Sequence, residues 1–155
     1  MSARRNRLGG RALALAALLL ATASVGCVTS YAEHHAMRLP ASRVAEMRSF
    51  AVVNREGDER NIEWDIRDVL LELGARAEAF EREPDDVSGY DGVITYIERY
   101  SWDMSPYCMQ LTLYVRDTKT GWITAVGSSW RPSLERKTPA GHAKLLLTEL
   151  LGAAP

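Results

Sequence analysis

No stretch of this sequence is apolar over the roughly 20 residues that a helix needs to cross a bilayer core. The longest apolar run, Ala12 to Ala23, has about 12 residues, so a permanent helical span is not expected. Cysteine is scarce, with two in 155 residues, far from the density of a disulfide-stapled scaffold. Neither sign of charge is in excess: the formal net charge is −1, which supplies no clustered positive footprint for nucleic acid. Three histidines are present, and the adjacent pair His34 and His35 would diverge on an extended segment, so no metal site is expected. A glycine-rich phosphate loop and internal repeats are also missing, and no cofactor is expected. Gly127-Ser128-Ser129 lacks the spacing of a nucleophile elbow, and no Ser or Cys has a base marked in the sequence. Asp85-Asp86 falls in a polar loop and reads as a solvated turn. These absences point away from an enzyme.

What is present begins at the N-terminus. Arg4, Arg5, Arg7 and Arg11 precede the Ala- and Leu-rich run, which together have the n-region and h-region of a secretory signal. The run leads into Ser24-Val25-Gly26-Cys27, which resembles the cleavage and acylation site of bacterial lipoproteins, with Ser24 where that motif usually has Leu. The resemblance implies a diacylglyceryl thioether and an amide-linked acyl group on Cys27. One acyl chain holds a protein only marginally, so the implied multiple chains are what stable anchoring requires. Val28 follows the cysteine, and by resemblance to the sorting habit of enteric bacteria, in which Asp at that position favours inner-membrane retention, this implies an outer-membrane address facing the periplasm. A second cut competes. Ala21-Thr22-Ala23 suits the ordinary signal peptidase, and cleavage there would release a soluble protein in which Cys27 and Cys108 are free to form a disulfide.

Cleavage before Cys27 leaves about 129 residues, enough for one domain with one core. It also removes four arginines and takes the formal charge to about −5. The organisation expected is a signal peptide at 1–26, a tether and lead-in segment at 27–48, and a single α+β domain at 49–155. Within it, Ser49 to Asn54 reads as a short strand ended by Gly57-Asp58. Asn61 is a candidate cap for a helix whose stripe is Ile62, Ile66, Val69, Leu70 and Leu73, with Glu63, Arg67, Asp68 and Glu72 on the solvated side and Gly74 closing it. Ala75 to Phe80 is a second strand. Tyr90 to Trp102, Tyr107 to Arg116 and Trp122 to Trp130 follow as an antiparallel meander, interrupted at Ser105-Pro106 and turned at Asp117 to Gly121. Thr138-Pro139 opens a last helix with Ala143, Leu146, Leu147 and Leu150 inward and Gly152 at its end. The fold class expected is α+β, a mostly antiparallel sheet of about four to five strands with two helices on one face.

The segments Tyr90-Asp91-Gly92-Val93-Ile94 and Trp102-Asp103-Met104-Ser105-Pro106-Tyr107 resemble a pattern in small proteobacterial envelope lipoproteins, with a W-D-M-x-x-Y motif and a following hairpin. The resemblance spans about Ser49 to Trp130 and implies an address and a shape. The element order is also distantly similar to lipoprotein domains of the curli-secretion and penicillin-binding-protein-activator type, an analogy of fold alone.

Trp102, Asp103, Met104 and Tyr107 form the densest unusual cluster, at the end of one long strand and the start of the next. Such residues give large contact area at low entropic cost and are the candidate partner or ligand contact. The same residues suit a plug for the core, with Asp103 receiving backbone N–H groups in a turn. A further candidate is a sheet face lined by Tyr96, Tyr100, Trp102, Tyr114, Trp122 and Trp130, if they share parity. The functional expectation is a lipid-anchored envelope protein acting as a non-catalytic interaction or assembly module, its partners the membrane and another envelope protein. The alternative is a secreted ligand-binding domain bridged through Cys27 and Cys108.

Overall fold

Alternating strands and two apolar helical stripes resolve, in the computed structural model, into a six-stranded sheet with two helices on one face; residues 32–40 and 42–152 are described. The signal at 1–26 and Cys27 lie outside the described residues. The strands are β1 (Glu33–Arg38), β2 (Ser49–Val53), β3 (Arg76–Phe80), β4 (Gly92–Asp103), β5 (Ser105–Asp117) and β6 (Ile123–Trp130). Their spatial order is β1-β6-β5-β4-β2-β3. Helix α1 (Ile62–Glu72) connects β2 to β3, and α2 (Pro139–Leu151) follows β6. The fold is α+β and mostly antiparallel: β1–β6, β6–β5 and β5–β4 are antiparallel, while β2 pairs in parallel with both β3 and β4.

The sixth strand, β1, exceeds the expected four to five and comes from within the segment expected to be a tether and lead-in. Its sequence, Glu33-His34-His35-Ala36-Met37-Arg38, has no apolar alternation because an edge strand leaves both faces largely wet; only Ala36 reaches the core. Among the described residues no helix is long and apolar enough to cross a membrane.

The core lies between the helices and one sheet face. Phe50, Ile94, Leu111 and Leu113 meet Ile62, Ile66, Leu70, Leu146, Leu147 and Leu150, all fully buried. Each such side chain contributes about 1.5–3 kcal/mol of transfer free energy. Gly127 on β6 lets α2 approach, since a Cβ there would sit 3.2 Å from both Leu146 and Leu150. Thr138 caps α2 by accepting from the Gly141 N–H at 3.1 Å.

Three local expectations change. Asn61 precedes α1 but adopts a left-handed conformation (φ 56°) that makes no side-chain cap; Asp58 does the work, accepting from the N–H groups of Arg60 (2.8 Å) and Ile62 (3.2 Å). Glu63 is not solvated: it is 1% exposed and lies 3.1 Å from the Tyr96 hydroxyl, which donates to Asp58 at 2.7 Å. The proposed aromatic face is divided. Tyr96 pairs with Leu113 on the helix side and is 2% exposed, whereas Tyr114 and Trp130, opposite Val126 and Gln110, lie on the helix-free side.

Candidate functional site

At one end of the sheet two strands outrun their neighbours. β4 and β5 stay paired as far as Asp103↔Ser105, while β6 stops at Trp130, opposite Gln110. Met109 still accepts from the Arg131 N–H at 2.8 Å, and Cys108 is buried in the core. Ser105 to Tyr107, with Ser101 to Asp103 opposite, therefore project as a two-stranded arm about 10 Å long at the usual rise per residue. A register shift between Arg99 and Tyr100 marks its base, and a bulge there bends and twists the strand it sits in. The expected break at Ser105-Pro106 is instead a strand start, and the reversal is confined to Met104. Pro106 fits because β6 has ended and this side of β5 is an edge, where a missing N–H costs no ladder bond.

Met104 holds a positive φ of 57°, an uncommon conformation for a residue with a side chain. The arm is lashed by Arg136, just past the short 3-10 turn Ser133–Glu135. Its guanidinium donates to Ser105 Oγ at 2.8 Å and to the Asp103 carbonyl, sits 3.3 Å from the Asp103 carboxylate, and covers the Tyr107 ring at 4.7 Å. Of the four residues singled out from sequence, Asp103 and Tyr107 are thus brought together through Arg136. Trp102 is not: the register Trp102↔Pro106 and Ser101↔Tyr107 puts it on the opposite side of the arm. Neither Trp102 nor Met104 plugs the core. Trp102 is 73% exposed and Met104 92%, and Leu134, in the turn that leads to Arg136, is 93% exposed.

Leu134 and Arg136 escaped the sequence reading because they stand about thirty residues from the arm, with no periodic signal around them. Another pairing also had no sequence mark. Fully buried His142 places Nδ1 2.9 Å from Ser129 Oγ and Nε2 3.2 Å from the Cys108 carbonyl. A carbonyl only accepts, so Nε2 carries the proton and Nδ1 accepts from the Ser129 hydroxyl. Burial pushes the His142 pKa down. Ser129 is equally buried, so this Ser–His contact is sealed inside the core and has no route to a substrate.

The remaining candidates are local. His34 lies 3.7 Å from Glu149 and His35 lies 3.9 Å from Glu33; as successive strand residues they face opposite ways. Among the described residues no cluster of three His, Cys, Asp or Glu side chains is placed to hold a metal. Asp86 accepts from the Ser88 N–H at 2.8 Å, an Asx turn that holds its pKa down. Cys108 is 3% exposed in the core, its thiol donating to the Gln110 carbonyl, and burial raises its pKa to about 11.

No protein-family model and no curated protein matches this chain. Solved structures do. The PelC dodecamer from Paraburkholderia phytofirmans superposes with a TM-score of 0.52 at 16% identity, covering 78% of this chain and 95% of that one. A single-residue variant of the same dodecamer gives 0.54 at 17% identity, covering 78% and 96%. A PDZ domain protein from Parabacteroides distasonis gives 0.43 at 12% identity over 83% of this chain and 37% of that one. At these identities the likeness to PelC is one of fold.

Proposed function

We propose that this protein is a lipid-anchored component of the bacterial envelope, a non-catalytic assembly module acylated at Cys27 and docking through the β4–β5 arm. The observation that carries the reading is the arm itself. It holds Trp102 and Met104 away from the core while Arg136 fixes its position, an arrangement suited to contact and ill suited to catalysis. Two further points support it. The fold is shared with PelC, a protein solved as a dodecamer, so association with further copies or another envelope protein fits this scaffold. The bridged alternative is disfavoured because the Cys108 thiol is buried, and its raised pKa leaves little thiolate to form a disulfide with Cys27. The outer-membrane address rests on Val28 and on the sequence resemblance.

Metabolic labelling with palmitate, with Cys27→Ala as control, tests the anchor. Label is expected in the native protein and not in the variant; an unlabelled native protein, or one bridged through Cys27 and Cys108, overturns the reading. Sedimentation of the detergent-solubilised protein then reports whether it self-associates.

A further inference from the structure

The geometry points to the bilayer surface as the occupant of the arm: Trp102, Met104 and Leu134 sit in the interfacial layer of the membrane that holds the lipid of Cys27. This inference rests on the acylation proposed above and names the partner of the same site.

The argument is one of direction and reach. Glu33, at the start of β1, pairs with Trp130 at the end of β6, and Trp130 pairs with Gln110 on β5. The N-terminal chain therefore joins the sheet at the end from which the arm projects. Five residues separate Cys27 from Glu33, and six fully extended residue steps span about 20 Å at most. The arm reaches about 15 Å beyond the level of Glu33 at the rise of a strand. An anchor on so short a tether keeps the end of the sheet that carries Glu33 within about 20 Å of the lipid surface, and the projecting tip fills that gap.

The tip has the chemistry of an interfacial contact. Tryptophan is enriched where headgroups meet acyl chains, because its ring is apolar and its indole N–H stays hydrated. Met104 at the reversal, and Leu134 in the turn that Arg136 ties to the other side of the arm, add two almost fully exposed apolar side chains at this end of the sheet. The charges at the arm have both signs: Arg136 lies against Asp103, and Glu135 follows Leu134 in the adjoining turn. The attraction is accordingly apolar and does not require anionic lipid. Trp122 provides an internal contrast. It is 77% exposed, but it lies in the β5–β6 turn at the other end of the sheet, away from the point where the N-terminal chain enters.

The test uses the full chain purified from membranes with its native N-terminus and reconstituted in phosphatidylcholine vesicles with brominated acyl chains. Tryptophan quenching by the brominated lipid is expected in the wild type, to be mostly lost in Trp102→Phe, and to be unchanged in Trp122→Phe. A second probe avoids reliance on tryptophan. Met104→Cys labelled with a polarity-sensitive dye, Cys108 being buried and Cys27 blocked by lipid, should shift to the blue on vesicles. Absence of lipid quenching, or equal loss in the two tryptophan variants, overturns the inference. So does a Trp102 shielded from aqueous quenchers yet untouched by brominated lipid, which assigns the tip to a second protein copy. Mass spectrometry of the N-terminal peptide keeps the two readings apart: an unmodified Cys27 removes both, whereas an acylated chain with an unquenched Trp102 removes only this one.

Discussion

The two ends of the sheet each expose a tryptophan to nearly the same extent, Trp102 at 73% and Trp122 at 77%, yet they are built differently. At the Trp122 end, polar side chains are used up in holding the chain. The Asp91 carboxylate accepts from the Arg48 N–H (2.9 Å), the Ser49 N–H (3.1 Å) and the Ser49 hydroxyl (3.0 Å), tying β2 to the start of β4. Asp117 accepts from the Lys119 N–H at 2.7 Å within the β5–β6 turn, and Thr118 donates its hydroxyl to the Tyr90 carbonyl. At the Trp102 end a single arginine fixes the arm and the apolar side chains are left over. Exposure alone does not mark a docking site; the neighbours of the exposed group do.

This contrast is broken most severely at the structural end. Asp91→Ala should destabilise the fold by about 3 kcal/mol, because three donors lose one charged acceptor; the urea midpoint measures it. Backbone hydrogen bonding, first that of Arg48, holds the Asp91 pKa below its ordinary value. Its contribution is therefore present above the unfolded aspartate value of about 3.9 and lost as pH falls through the lower folded value. Asp91→Asn should remove that acid-side slope. Gly92→Val comes next, at about 2 kcal/mol of overpacking, since a Cβ there would lie 3.1 Å from Met47 and 3.2 Å from Phe50, both fully buried.

His142 gives a weaker, pH-dependent effect. Its folded pKa is lowered, chiefly by burial, so the unfolded chain binds the proton first. Stability should be constant above the unfolded value of about 6.5 and decline as pH falls from there toward the folded value; His142→Gln should lack that slope. At the arm the signs reverse. Met104→Gly should stabilise by about 1 kcal/mol, since glycine adopts the positive φ without a Cβ clash. Trp102→Ala should change the midpoint by less than about 0.5 kcal/mol, as an exposed surface position. A large loss of stability in Trp102→Ala would return that residue to a role in the core.

Much of the fold was legible in the sequence because the burial periods are clean. The alternation of Leu111, Leu113 and Val115 places β5, and Thr138-Pro139 with Gly152 brackets α2. The same logic missed β1, which buries too little to show a period. It misjudged Glu63, whose burial depends on Tyr96 arriving from β4 thirty-three residues later. Asn61 lost the cap to Asp58 because its left-handed backbone turns the side chain away. At the candidate site, the four residues from Trp102 to Tyr107 stood out by composition alone. Their division into an arginine-bound pair and a free tryptophan depends on strand register, and the role of Arg136 on a long-range contact.

Photo-crosslinking from position 102 and from position 122, each carrying the same benzophenone side chain in intact envelopes, tests the asymmetry most directly. Adducts with lipid or another envelope component are expected at 102 and not at 122. Equal yields at the two positions, or adducts at 122 alone, would contradict the assignment of the arm as the docking end.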